Sequence, residues 1–247
     1  MVKNAGITLG PDAFRPRRLP LRRLQCPRGD EVHLWHLDFN TLSNPLHQDP
    51  QDHAADLPVV QQRAIRRFYL RLLLGAYLGL PGKDIHITRR VKGRPELGSA
   101  EARAKINFSV SRSAGCYLIG ISSGAPIGVD LEVAARRARN PLALAKRYMS
   151  EPETTALAAL GGEELQRAFM HTWSCNEAIV KANGTGIANQ LYRFSVDVDP
   201  DKPPAVLSML DDDPAAWKMA TARPTEGAIA AVAVRQKSLR LKGFRLL

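Results

Sequence analysis

The stretch HTWSCNEAIVKANGTGI (His171–Ile187) reads as the last turns of a helix that stops abruptly at Asn183-Gly184. A glycine just past the last helical residue is the usual left-handed stop. Glu177 and Lys181 lie four residues apart on one face, in the favourable order for a helix. Trp173 sits one turn upstream of the glutamate. Reading backwards, the helix begins at about Glu163, after the break at Gly161-Gly162. A shorter helix precedes it, opened by Ser150 with Glu153 three residues on, the pattern of a capping box. PLALAKRYM reads as another helix before that.

Strands flank this helical middle. EVHLWHLDF (31–39) is short and rich in β-formers. Its alternation puts Trp35, Leu37 and Phe39 on one face and Val32 and Leu34 on the other. TLSNPLHQDPQDHAADLP is polar and proline-containing, so it is a loop. VVQQRAIRRFYLRLLLGAYLGL (59–80) is a helix with Ile65, Phe68, Leu72, Leu73 and Tyr77 as its apolar set, stopped by Pro81-Gly82. DIHITRRV is a short strand and KGRPEL a turn. INFSVSRSAGCYLIGISS is a hairpin around Ser113-Ala114-Gly115, and PIGVDLEV is a further strand. After the helices come YRFSVDVD, PAVLSML, AAWKMATARP and AIAAVAV, all strand-like. The order strand, helix, strands is repeated, which predicts an α+β fold of two similar halves. Residues 31–127 form the N-terminal half and 128–247 the C-terminal half.

The chain has 247 residues, 45% of them hydrophobic, enough for a real core. No run approaches the ~20 apolar residues that span a bilayer, so no membrane role is expected. Three scattered cysteines and no visible signal peptide point to a reducing cytoplasm without a disulfide framework. Net charge is +11, which attracts polyanions, phosphorylated cofactors or acidic proteins. RPRRLPLRR (15–23) holds five arginines and two prolines, so residues 1–30 read as a loose basic arm. A solvated tail is the simpler reading of that arm than a nucleic-acid site.

Four places could carry chemistry. In GVDLEV, Asp130 and Glu132 point one way and Val129, Leu131 and Val133 the other. Carboxylates ~6.5 Å apart repel by roughly 2–3 kcal/mol at an effective dielectric near 20, a cost that a divalent cation removes. Taken alone, an exposed strand face screened by water explains the pair as well. Glu177 and Lys181 could serve a metal or proton transfer and a phosphate; taken alone, they are a surface ion pair worth a few tenths of a kcal/mol. KGRPEL offers Lys92 and Arg94 at a glycine turn, and a guanidinium grips phosphate well. NFSVSRS offers Asn107, Ser109, Ser111, Arg112 and Ser113 as donors. The histidines form no helical ligand pair, and none is given a metal role.

Each place is weak, but their order is specific. A basic G-(K/R)-P, then N-x-S-x-S, then G-V-D-L-E, then W-S-x-x-E-A-x-x-K ending in G-x-G resembles the 4′-phosphopantetheinyl transferase superfamily, Sfp type. The resemblance spans roughly residues 31–235. It implies a pseudo-dimer of two similar α/β halves with coenzyme A between them. It implies transfer of 4′-phosphopantetheine to a serine of an acyl or peptidyl carrier protein, in secondary-metabolite or fatty-acid biosynthesis, with 3′,5′-ADP as by-product. By the same resemblance Asp130, Glu132 and Glu177 match carboxylates that hold Mg2+. Glu177 matches the general base, and Lys181 a catalytic lysine on the phosphate. Arg94, Ser109, Ser111 and Lys181 match coenzyme A contacts. A monomer is expected, with the basic surface facing an acidic carrier protein.

Three positions depart from the pattern. Asn176 stands where the motif usually has a lysine beside the glutamate, and Val110 where the hairpin usually has a histidine. Residues 41–62 hold no Lys or Arg where a basic segment is usual. All three losses fall on coenzyme A phosphates. They leave open a transferase with charges supplied by Arg63, Arg66, Arg67 or the arm, a relative acting on a carrier-tethered substrate, and a non-catalytic carrier-binding or nucleic-acid-binding protein.

Overall fold

Two sheets lie face to face, and the strand read from EVHLWHLDF runs through the middle of the larger one. The computed structural model describes residues 7–42, 57–89, 95–133, 137–184 and 191–247. Within them the chain runs β1 (Ile7–Leu9), β2 (Phe14–Arg17), β3 (Glu31–Asp38), α1 (Val59–Leu78), β4 (Ile87–Arg89), β5 (Pro95–Leu97), α2 (Ala100–Lys105), β6 (Asn107–Ser113), β7 (Cys116–Ser122), β8 (Ile127–Val133), α3 (Pro141–Tyr148), α4 (Glu151–Ala158), α5 (Gly162–Asn183), β9 (Phe194–Val196), β10 (Val206–Met209), β11 (Trp217–Ala222), β12 (Ala228–Arg235) and β13 (Arg240–Leu246). The larger sheet has the order β2-β13-β3-β7-β6 and the smaller one β1-β11-β12-β8. β9 with β10, and β4 with β5, form small antiparallel pairs.

Burial follows the alternation in β3. Trp35, Leu37 and Phe39 enter the core under α1. Val32 and Leu34 enter a second core between the sheets, with Leu118 of β7, Val129 and Leu131 of β8 and Val232 of β12. A third core lies under α5, where Ala178, Ile179 and Ala182 meet Ala231 and Ala233 of β12. The strand orders β3-β7-β6 and β8-β12-β11 match element for element, each with one long helix, α1 or α5, packed on its sheet.

The buried face of α1 differs from the one expected. Ile65, Leu73 and Tyr77 are buried, but Phe68 is exposed, Leu72 is half-buried, and Tyr69, Leu70, Leu74 and Leu78 face inward. Residues 68–70 and 72–74 are apolar without exception, so periodicity alone cannot choose among neighbouring faces there.

The basic arm is also more than a tail. From residue 7 onward it is laid against both sheets, β1 parallel to β11 and β2 parallel to β13. Phe14 is buried, and Leu21, Leu24 and Cys26 pack on the core under α1. The Leu24 amide donates to the Ala76 carbonyl at 2.9 Å, which satisfies one of the free carbonyls at the end of α1. β13 was not anticipated from the sequence. It belongs to the C-terminal half of the chain, yet it is sandwiched between β2 and β3 in the larger sheet.

Candidate active site

The helix ending at Asn183 and the strand containing GVDLE meet at a glycine. A Cβ at Gly128 would overlap the Ala178 carbonyl oxygen and the Ala182 nitrogen, so only glycine lets α5 lie directly on β8 there. That contact brings Glu177 and Lys181 over the face of β8 that carries Asp130 and Glu132. α5 itself ends as the sequence predicts, with Gly184 left-handed at φ 69° and its amide bonded to the Val180 carbonyl.

All three carboxylates are buried: Asp130 is 4% exposed, Glu132 8% and Glu177 6%. The exposed, water-screened strand face is therefore not what forms. Nor is the plain i,i+4 ion pair, because the Lys181 ammonium is taken by Asp130 Oδ1 at 2.6 Å and by Ser111 Oγ at 3.0 Å. The other oxygen of Asp130, Oδ2, is buried without a partner. Burial, then the negative charge of Asp130 and least that of Glu132, pushes the Glu177 carboxyl up to about 7, against an opposing pull from Lys181 that is weaker than the push from Asp130. Among the described residues no group of three or more His, Cys, Asp or Glu side chains is placed to hold a metal ion.

The serines of the hairpin have a definite place. β8 is the edge of its sheet and β6 the edge of the other, and the two edges meet. Ser109 Oγ accepts from the Val129 amide at 3.1 Å, Ser111 Oγ donates to Asp130 Oδ1 at 2.7 Å, and Ser113 Oγ accepts from the Val133 amide at 3.3 Å. Ser113 also donates to Glu132 Oε2 at 3.1 Å. Three hydroxyls at every second residue thus stitch one open strand edge to the other, where unpaired backbone groups would otherwise be buried. Ser113 was read only as one of five possible donors; its period-two spacing from Ser109 and Ser111 was the available signal.

Of the other expected contacts, Lys92 and Arg94 lie outside the described residues. Val110 points to the α1 side of β6 and packs on that core. Asn176 is fully buried, beside the carboxylate of Glu153 rather than among the three site carboxylates. It lies close enough to favour the ionised form of Glu153, yet neither its oxygen nor its nitrogen reaches hydrogen-bond geometry. Glu153 itself accepts from the Ser150 amide and hydroxyl and from the Val196 amide, the capping box extended to β9. Trp173 is a packing residue, wedged against Tyr148 and Phe169.

No helix of the described residues is long and apolar enough to cross a membrane. A family model described as the 4′-phosphopantetheinyl transferase superfamily matches residues 126–233, from the start of the GVDLE strand to β12. The 4′-phosphopantetheinyl transferase HetI of Nostoc sp. is 32% identical over 219 residues, covering 83% of this chain and 88% of that protein. The 4′-phosphopantetheinyl transferase Sfp of Bacillus subtilis is 29% identical over 175 residues, covering 65% of this chain and 75% of that one. With two buried carboxylates on β8 facing a third on α5, and a likeness that runs nearly the length of the chain, this protein belongs to the 4′-phosphopantetheinyl transferase superfamily.

Proposed function

We propose that the chain moves 4′-phosphopantetheine from coenzyme A to a serine hydroxyl of an acyl or peptidyl carrier protein, and that Glu177 is the base for that step. The observation that carries this reading is the Glu177 carboxyl: buried, without a cationic bond of its own, and pushed up to about 7 by that burial and then by the carboxylates beside it. A base tuned near neutral pH takes a hydroxyl proton most effectively. The serine oxygen then bonds to the phosphorus next to pantetheine, the bond to the departing 3′,5′-ADP oxygen breaks, and the proton rests on Glu177. Lys181 is held beside these carboxylates by Asp130 and Ser111, and its ammonium would offset charge on the phosphate.

The site suits Mg2+, which takes one or two carboxylates and fills its remaining positions with water and phosphate oxygens. Asp130 has a free buried oxygen, and Glu177 carries unfavourable charge from two neighbouring carboxylates. One or two of Asp130, Glu132 and Glu177 would hold the ion, with water and phosphate oxygens completing its shell. It would supply positive charge to the pyrophosphate. Ser109, Ser111 and Ser113 keep β8 in register beneath those carboxylates. The matched strand orders of the two halves support a pseudo-dimer with coenzyme A in the seam between β6 and β8.

The test is intact-mass spectrometry of an apo carrier protein incubated with this protein, coenzyme A and magnesium. The expected result is a gain of one phosphopantetheine, absent with Glu177→Ala. No gain on any of several apo carriers, with the protein folded, would overturn the reading.

A further inference from the structure

Residues 13–29 hold six arginines and no Asp or Glu. Arg15, Arg17, Arg18, Arg22, Arg23 and Arg28 are all exposed. Among the described residues none of them has an ion-pair partner. The next acids along the chain, Asp30 and Glu31, are taken by Arg240 and Lys242. Packing sets the way the arginines point. Leu21 and Leu24 turn inward onto the core under α1, and the Leu24 amide is bound to the end of that helix, so Arg22 and Arg23 are left facing solvent.

Leucines stand among these charges. Leu19 is 39% exposed, Leu80 49% and Leu247 50%. The Leu247 amide donates to the Arg17 carbonyl at 2.9 Å, and the Arg23 guanidinium lies against Gly79, the neighbour of Leu80. Two kinds of polyanion would neutralise the arginines: a nucleic-acid backbone and an anionic lipid surface. A single-stranded nucleic acid also needs aromatic platforms for its bases, and the rings of this region, Phe14, Tyr77 and Phe244, are buried. A phosphate backbone gains nothing from exposed leucines. A lipid surface uses both groups: its headgroup phosphates take the guanidiniums, and its acyl boundary takes the apolar side chains. We propose that the arm and its neighbouring leucines form a peripheral docking surface for an anionic lipid bilayer.

This is a contact with a surface and not a span, so the lack of a crossing helix among the described residues does not bear on it. The arm runs along β2, one edge of the larger sheet, while β6 and its seam with β8 lie at the other edge. Four strand spacings, roughly 19 Å, separate the two edges. A chain held by the arm keeps its carboxylates away from the lipid and open to solution. The proposal does not rest on the transfer reading.

The test is co-sedimentation of the full chain with vesicles of equal parts phosphatidylcholine and phosphatidylglycerol, against vesicles of phosphatidylcholine alone, in low and high sodium chloride. Two variants are run beside it: one combining Arg18→Gln, Arg22→Gln and Arg23→Gln, the other combining Leu19→Ser and Leu80→Ser. All five side chains are exposed, and thermal unfolding confirms that each variant is folded. The expected result is binding that needs phosphatidylglycerol and weakens with salt. The arginine variant should lose roughly a hundredfold in affinity, about fivefold for each charge, and the leucine variant severalfold at unchanged charge. No binding to the mixed vesicles in low salt overturns the proposal, and so does binding that either variant retains in full. Tighter binding to duplex RNA than to the vesicles, at equal phosphate concentration, would assign the surface to nucleic acid and overturn it as well.

Discussion

Glu177 is unstable where it stands, and that can be measured apart from catalysis. Its folded-state pKa of about 7 lies above the ordinary carboxylate value of 4.5. The folded protein therefore holds this proton more tightly than the unfolded chain does. The stabilisation is complete below the ordinary value and is lost as pH rises from 4.5 through 7, by at most about 3 kcal/mol. Glu177→Gln keeps the shape and removes the charge. Its Tm should exceed that of the parent at pH 8 and converge with it at pH 4.5, while transfer activity disappears. A variant less stable than the parent at pH 8 would mean that the carboxylate is already compensated and that its pKa is ordinary. Asn176, one residue earlier, looks from the sequence like a lesion in the same site. Its side chain instead belongs to the buried surroundings of Glu153, because successive residues on a helix point about 100° apart.

At the scale of elements, the site depends on how closely α5 lies on β8. Gly128→Ala would drive a methyl group into the Ala178 carbonyl, which is backbone and cannot rotate away. Overpacking of this kind costs about 1–3 kcal/mol. It should also lift Glu177 and Lys181 away from Asp130, so activity should fall far more than stability. Denaturant unfolding alongside the mass assay would separate the two. An active Gly128→Ala protein would show that the helix–strand distance is not what positions the carboxylates. The sequence announces much of this layer. The capping box at Ser150, the glycine stop at Gly184, the hairpin around Ala114-Gly115 and the two faces of β3 are all local signals, and each is found where its chemistry puts it. The positions of Asp130, Glu132, Glu177 and Lys181 were equally legible. Their burial was not, because it arises from a helix about fifty residues downstream settling on the strand. The serine stitch escaped for the same reason: a hydroxyl's partner on another sheet leaves no mark in its own neighbourhood.

At the scale of the whole molecule, the parts that sequence reading missed are the two ends of the chain. β1, β2 and β13 are short or dotted with cations, Arg240, Lys242 and Arg245 among them, and they lack the hydrophobic run that marks an interior strand. Pairing decides them, and their pairing is long-range. β13 has β2 on one side and β3 on the other, in parallel with both. A chain ending at Ser238 would lose that strand and open the larger sheet. It should show no cooperative thermal transition and weak near-ultraviolet circular dichroism. A sharp transition at the parent Tm would show that the last strand is an ornament on a sheet already complete.

The position of β13 also sets a timetable. On the ribosome the amino-terminal segment emerges first, but Phe14 has to wait for Gly243 as its ladder neighbour. β3 waits for the same strand. The larger sheet therefore cannot close until β13 has been made, although its other strands precede it in the chain. During that interval β3 has an open flank. Arg15, Pro16 and Arg17 of β2 line the other side of that slot, with β13 between them and β3 in the finished sheet, and they are poor templates for adhesion between nascent chains. The arm's charge would then serve the protein before the sheet is closed: it guards an unfilled slot until the seven residues of β13 arrive.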